Sequence, residues 1–131
     1  MDEAELKLRT KQFALRCITL AESLPKTRTG NTIAGQLLRS STSVGANYRA
    51  ACRGRSRAEF VSKLGTVEEE ADESAFWMEL IVDSGMMPPK LVDPLHDEAC
   101  QLVRIVVASI NSSRGGPRNS IRNPQSKIRN S

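Results

Sequence analysis

Apolar residues recur along most of the chain at spacings of three and four, and this pattern predicts amphipathic helices. The first helix is predicted over about residues 4–24, and it ends before Pro25 because the residue preceding a proline is forced out of the helical region. The second helix is predicted over about residues 29–53, where Gly54 stops it. No segment alternates apolar and polar residues as a half-buried strand does.

A third helix is predicted to begin at Arg57, after a capping signal. Ser56 and Glu59 are three residues apart, the spacing of a capping box, in which each side chain accepts a hydrogen bond from the backbone N–H of the other residue. The apolar stripe of this helix continues past Met78, and Gly85 is its predicted C-cap.

A fourth helix is predicted to begin between Pro89 and Pro94, with Asp93 as N-cap and Pro94 as first helical residue. Four amphipathic helices with short connections predict an all-α, antiparallel, up-down-up-down four-helix bundle. We expect the bundle to occupy residues 1–112. Residues 113–131 contain glycine and proline but no aromatic residue, and are predicted to be a disordered, basic C-terminal tail.

The formal net charge of +4 originates in that tail. Residues 1–112 contain 14 lysines and arginines against 15 acidic residues, whereas residues 113–131 contain five basic residues and no acid. The basic isoelectric point is therefore no argument that the bundle binds nucleic acid. The tail is either a non-functional extension or an arm that adds nonspecific nucleic-acid affinity.

The chain begins with an acidic segment that lacks the basic and apolar regions of a signal peptide. No apolar run reaches the roughly 20 residues that cross a bilayer. Cys17, Cys52 and Cys100 are odd in number and scattered among apolar neighbours, which favours reduced, buried thiols over a disulfide framework. We therefore expect a cytoplasmic protein.

Candidate chemistry is sparse. His96 and Cys100 have metal-compatible spacing, but two ligands do not make a site. The acidic run at residues 68–73 lacks the Glu-x-x-His pair of di-iron bundles, and no phosphate-binding loop or nucleophile elbow is present. Phe76 and Trp77 are expected to pack in the bundle or at an oligomer seam rather than stack on bases. We expect no enzymatic activity, no cofactor and no metal.

Residues 36–60, which include most of the second predicted helix and the start of the third, combine arginines with small residues. Projected at 100° per residue, one face carries Arg39, Arg49 and Arg53, and the opposite face is apolar. The basic face also contains the small residues Gly35, Thr42 and Ala46. Arginine forks suit phosphates, but such a run can equally be a solvated face or pair with acids of a neighbouring helix. The candidate nucleic-acid-binding residues are Arg39, Arg49, Arg53, Arg55, Arg57 and Lys63.

A resemblance to a known protein family rests on five segments: Leu24-Pro25, Gln36–Ser40, Thr42–Arg49, Ser56–Phe60 and Glu70–Leu80. They resemble the bacterial four helix bundle protein family, also called the ribosomal-RNA intervening-sequence protein because some members are encoded inside intervening sequences of large-subunit rRNA genes. The resemblance covers about residues 6–112. It implies a bundle that assembles into a homo-oligomeric ring, a pentamer.

The chain is also similar to the accessory protein of diversity-generating retroelements, a pentamer that binds nucleic acid and a reverse transcriptase through basic surfaces. The resemblance therefore implies ribosomal RNA or another nucleic acid and, by analogy, a reverse transcriptase as partners. One departure is Ala50, where members commonly carry glutamate. The absence of this glutamate makes the face around Arg49 and Arg53 more basic, or removes a structural ion pair.

Two hypotheses follow from the sequence. In the first, the protein is a non-enzymatic, homo-oligomeric bundle that binds RNA or DNA nonspecifically through the basic face of the second helix. In the second, it is a protein-interaction scaffold in which that basic face pairs with the acidic face of the third helix of another subunit.

Overall fold

The computed structural model describes residues 1–114, which form four α-helices and no strand within that range. The prediction of an all-α four-helix fold is confirmed. Ser113 is the last residue of the fourth helix rather than the first of a tail, and residues 115–131 lie outside the described part of the chain. The helices are α1 (Glu3–Glu22), α2 (Arg28–Cys52), α3 (Arg57–Asp83) and α4 (Pro89–Ser113).

Each helix packs chiefly on its neighbours in sequence, and α1 touches α4 less extensively. The connections at 23–27, 53–56 and 84–88 are far too short to run the length of a helix, so successive helices must be antiparallel. The open side of the bundle is bridged by Arg9 on α1. Its Nε and Nη2 donate to the two carboxylate oxygens of Glu98 on α4 at 2.6 and 2.8 Å, and this bidentate contact raises the pKa of Arg9.

The apolar stripes of all four helices meet in one core. Phe13, Leu37, Leu64, Met78 and Leu102 are among its largest fully buried side chains. Burying them removes apolar surface from water, which is the main favourable term in folding.

A few polar groups lie inside this core, and each has a partner. Ser40 on α2 and Ser74 on α3 share a hydrogen bond of 2.9 Å. Burial raises the pKa of the Cys17 thiol to about 12. Tyr48 is buried in the core, as expected, and burial raises the pKa of its hydroxyl. Of the three free thiols only Cys17 is fully buried; Cys52 and Cys100 are partly exposed.

The predicted capping box before α3 is present, but one of its two hydrogen bonds has a different donor. Ser56 Oγ accepts the backbone N–H of Glu59 at 3.1 Å, as predicted, and α3 begins at Arg57. The Glu59 carboxylate, however, accepts the backbone N–H of Arg55 at 2.8 Å rather than that of Ser56. The side chain thus fastens the α2–α3 connection, not only the helix end.

The predicted N-cap of α4 is wrong. The helix begins one turn earlier, at Pro89 with Pro88 as cap, and Pro94 lies inside it. Proline fits the first helical position because its fixed φ suits the helix. The N–H that Pro94 lacks would have bonded only the carbonyl of Lys90 in the first turn, and Val92 and Leu95 are buried on either side.

Gly30 in the first turn of α2 allows the α1–α2 connection to pass close to the helix. A Cβ at this position would lie 1.9 Å from the carbonyl oxygen of Pro25. We expect Gly30→Ala to destabilise the bundle by about 2–3 kcal/mol, although alanine is the better helix former, because backbone must move to admit the methyl group. The measurement is urea unfolding followed by circular dichroism.

Gly65→Ala is the matched control, since a Cβ there meets nothing within 4 Å. It should leave stability unchanged or raise it by up to about 1 kcal/mol, the difference in helix propensity. If both variants unfolded at the same urea concentration, the close approach at Gly30 would make no contribution to stability.

Candidate nucleic-acid interface

The positive charge of Arg39 is compensated by acidic residues of the same chain. Its Nη1 donates to Glu70 Oε1 at 3.2 Å, and its Nη2 bonds to Glu73, both on α3. Trp77 Nε1 donates to the same Glu73 carboxylate at 2.9 Å and holds it in place. Of the six candidate residues, this one takes the alternative that the sequence left open, pairing with acids of a neighbouring helix.

Arg49 lies on the same predicted basic face of α2 as Arg39 but does not share its contact with α3; it borders a groove between α1 and α2. We call this the α1–α2 groove; it encloses about 460 Å³. Its edges carry three cationic residues, Lys7 and Lys11 from α1 and Arg49 from α2. The remaining lining is small or apolar, and comprises Leu8, Thr10, Ala14, Thr42, Gly45 and Ala46.

Sequence reasoning had not placed Lys7 and Lys11 near the arginines. Their four-residue spacing puts them on one side of α1, but nothing local shows that this side faces α2. Lys7 also forms an exposed i,i+4 pair with Glu3 at 3.0 Å, which contributes only a few tenths of a kcal/mol and leaves the ammonium available.

Arg53, Arg55 and Arg57 cluster at one end of the bundle. Arg53 is the C-cap of α2, Arg55 lies in the connection, and Arg57 is the first residue of α3. All three side chains are exposed. We call these three residues the arginine end. Gly54 keeps the connection tight, since a Cβ there would lie 3.0 Å from the carbonyl oxygen of Ala51.

No acidic side chain in residues 1–114 lies within 4.0 Å of the cationic groups of the arginine end. The same holds for Arg49 and for Lys63, one to two turns into α3. The acid nearest in sequence, Glu59, instead accepts a hydrogen bond from the backbone N–H of Arg55. These cations are therefore uncompensated.

Arg114, the C-cap of α4, is a further basic residue at this end that sequence reasoning missed. It borders a shallow depression with Arg57, Ala58, Val61 and Ser62. Its proximity to Arg57 follows from the antiparallel arrangement of α3 and α4, which brings the end of one helix beside the start of the other.

His96 and Cys100 remain a local pair. Cys100 Sγ lies 3.8 Å from His96 Nδ1, and His96 Nε2 lies 2.8 Å from Glu79 Oε2 on α3. Burial raises the pKa of Cys100, so its thiol is not activated as a nucleophile. Within residues 1–114 no three His, Cys, Asp or Glu side chains come together as metal ligands, and no helix is long and apolar enough to span a membrane.

The family model of the 23S rRNA-intervening sequence protein matches residues 3–108, which is most of the chain and all but the end of the bundle. The chain belongs to this family. The resemblance noted in the sequence is thereby confirmed, and the matched range contains all six candidate residues. Among curated proteins, none matches the chain.

A solved structure with the same fold supports the assignment to the intervening sequence protein family. It is the crystal structure of a protein of unknown function from the S23 ribosomal protein family of Bacteroides thetaiotaomicron VPI-5482. The two chains are 29% identical, and the match covers 79% of this chain and 96% of the other with a TM-score of 0.75. Family membership fixes the fold, whereas function rests on the surface described above.

Proposed function

We propose that this family member is a non-enzymatic, homo-oligomeric, cytoplasmic bundle that binds the phosphate backbone of RNA or DNA at the arginine end. The observation that carries the proposal is the exposure of Arg53, Arg55 and Arg57 with no acidic partner among residues 1–114. Arginine presents a fork of donors that suits phosphate oxygens, and neutralising phosphates releases counterions.

The surface offers positioning contacts rather than sequence readout. Contacts to phosphate fix a protein on the nucleic acid but carry no base information. The only exposed aromatic side chain in residues 1–114, Phe76, is in the second half of α3, away from the arginine end at its start. The aromatic residue beside the arginines, Phe60, is partly buried against the core. We therefore expect little base stacking there, and binding should tolerate different sequences.

Self-assembly is supported by α1. Leu8, Leu15 and Ile18 are large apolar residues that remain exposed, and their spacings of seven and three place them on one face of the helix. Exposed apolar stripes of this kind typically mark interaction surfaces. The pentameric ring and a reverse transcriptase partner, both implied by resemblance, remain predictions.

The first test is binding of the full-length protein to large-subunit rRNA fragments at 50 and 200 mM salt, by fluorescence anisotropy. We expect affinity to fall steeply between the two conditions, because each phosphate contact contributes close to one unit to the salt slope. Ribosomal RNA is used because the family takes its name from the 23S rRNA gene.

A full-length variant with Arg118, Arg122, Lys127 and Arg129 replaced by glutamine separates the bundle from the basic C-terminal segment. Binding that persists in this variant with a modestly reduced slope supports the arginine end. Binding that disappears would assign the affinity to the C-terminal segment and refute the proposal.

The scaffold alternative also has an observation in its favour. Phe76 projects from α3 amid several acidic residues, and the α1–α2 groove is basic at its edges. This complementarity involves residues other than the arginine end, so the two hypotheses do not compete for the same side chains.

A further inference from the structure

The outer face of α3 presents one aromatic side chain within an acidic surround. Phe76 is 49% exposed although it is among the most apolar residues of the chain. Residues three, four and seven positions away share its helix face, and most of them are acidic. The exposed acids of this face are Glu69, Asp72, Glu79 and Asp83.

The orientation of Phe76 is set by its neighbours. Its ring meets that of Trp77 edge to face, with centroids 5.2 Å apart and an interplanar angle of 65°. Trp77 is in turn held by its hydrogen bond to Glu73, the residue that pairs with Arg39. These contacts hold the Phe76 side chain in a defined position in the unbound protein. Less side-chain entropy is therefore lost when a partner binds.

The α1–α2 groove is complementary to this face of α3 in charge and polarity. Small residues of both helices line it, and a Cβ added at Gly45 would lie only 3.4 Å from Thr10 Oγ1. Leu8 at its edge is 57% exposed, and Lys7, Lys11 and Arg49 surround it. An apolar lining with a cationic rim suits an apolar side chain with an anionic rim.

We infer that the α1–α2 groove receives Phe76 from the α3 helix of a second copy of this chain. Lys11 and Arg49 then face the acids that surround Phe76, and the aromatic ring covers Leu8 and the small residues of the groove. Aromatic side chains in such central pockets commonly supply most of the affinity of an interface. This inference rests on the homo-oligomeric part of the proposed function and names its contact.

The groove and Phe76 belong to different surfaces of the same chain, so the contact is head-to-tail. A heterologous contact of this kind leaves each copy with one unused groove and one unused Phe76 until the assembly closes into a ring. The contact also gives the candidate arginines different roles. Arg39 serves the fold, Arg49 serves assembly, and the arginine end remains open for nucleic acid.

The test uses full-length protein, light scattering for mass and the emission of Trp77, which is the chain's one tryptophan. We expect wild type to be an oligomer whose Trp77 emission shifts to longer wavelength on dilution, as the contact beside it opens. Phe76→Ala should raise the dilution midpoint at least tenfold. Lys11→Glu with Arg49→Glu, and separately Glu69→Lys with Asp72→Lys, should each yield monomers.

Combining both pairs of reversals in one chain restores complementarity with opposite signs, so we expect this quadruple variant to regain the oligomeric mass. The matched control is Arg28→Glu with Lys90→Glu, which makes the same charge change at exposed positions outside the groove and should leave the mass unchanged. Helical circular dichroism shows that each variant is folded.

Two results would overturn the inference. If wild type assembles but the Phe76 and charge-reversal variants keep its mass, the interface lies elsewhere and the homo-oligomeric proposal stands. If wild type is monomeric at every concentration, the inference and the homo-oligomeric part of the proposed function both fail, while RNA binding by the arginine end is decided by its own assay.

Discussion

Replacing Arg53, Arg55 and Arg57 together by alanine is expected to weaken RNA binding about 100-fold near 0.1 M salt. Each exposed charge contact is worth up to about 1 kcal/mol, and three such contacts give a factor of this size. The slope of log K against log salt should become shallower by about two to three units, since roughly 0.7 to 0.9 of a counterion is released per phosphate contact.

The measurement is a salt titration of binding to one rRNA fragment with both proteins in full length. The fold should be unaffected, because all three side chains are exposed and the structural bonds of Arg53 and Arg55 use their backbone N–H groups. Unchanged circular dichroism and oligomeric mass would show that the loss is local to the arginine end.

Arg39→Ala is the matched control for this prediction. It also removes an arginine from the same α2–α3 region, but one that is paired with Glu70 and Glu73. We expect RNA affinity to change less than threefold, since this cation is already compensated. If Arg39→Ala weakened binding as strongly as the triple variant, long-range charge rather than a defined surface would govern the interaction.

Phe13→Ala is expected to destabilise the bundle by about 4 kcal/mol, the largest effect of a single substitution considered. Phe13 is 1% exposed and is among the largest fully buried side chains. Truncation loses its transfer free energy and leaves a cavity that the surrounding helices can fill only in part. Since domains of this size are stable by about 5–15 kcal/mol, the variant should lose between about a quarter and most of the free energy of unfolding.

Urea unfolding at one fixed protein concentration measures the effect, because any self-assembly would add to apparent stability. Arg16→Ala, three residues away on the same helix and exposed, should cost less than about 0.5 kcal/mol. Phe13→Leu should fall between them, as it retains most of the buried volume. A Phe13→Ala variant within 1 kcal/mol of wild type would contradict the core described here.

Local signals in the sequence predicted the helices well. The boundaries of α1, α2 and α3 fall within two residues of the predicted ones, because Pro25, Gly54 and the capping residue Ser56 act on backbone conformation within one turn. The N-cap of α4 was mispredicted for a related reason, although the observed start at Pro89 lies at the edge of the predicted range. Both Pro89 and Pro94 satisfy the local rule for a first helical residue, and burial of Val92 favours the earlier start.

The candidate site was predicted in part. Arg53, Arg55 and Arg57 are neighbours in sequence, and the turn between α2 and α3 keeps them together in space. Lys7 and Lys11 could not be added to Arg49 from sequence, because helical periodicity tells which residues share a face but not which neighbouring helix that face meets. Arg114 was missed because its proximity to Arg57 depends on the path of the whole chain.

The sequence by itself therefore determined the set of helices, the buried face of each helix and the residues of each charged face. These follow from helical periodicity and from interactions within one or two turns. The tertiary structure alone decided which charges remain free. Arg39 meets Glu70 and Glu73, 31 and 34 residues further along, only because α2 and α3 pack in one register. A cation is compensated or available according to its distance from acids, and that distance is set by packing.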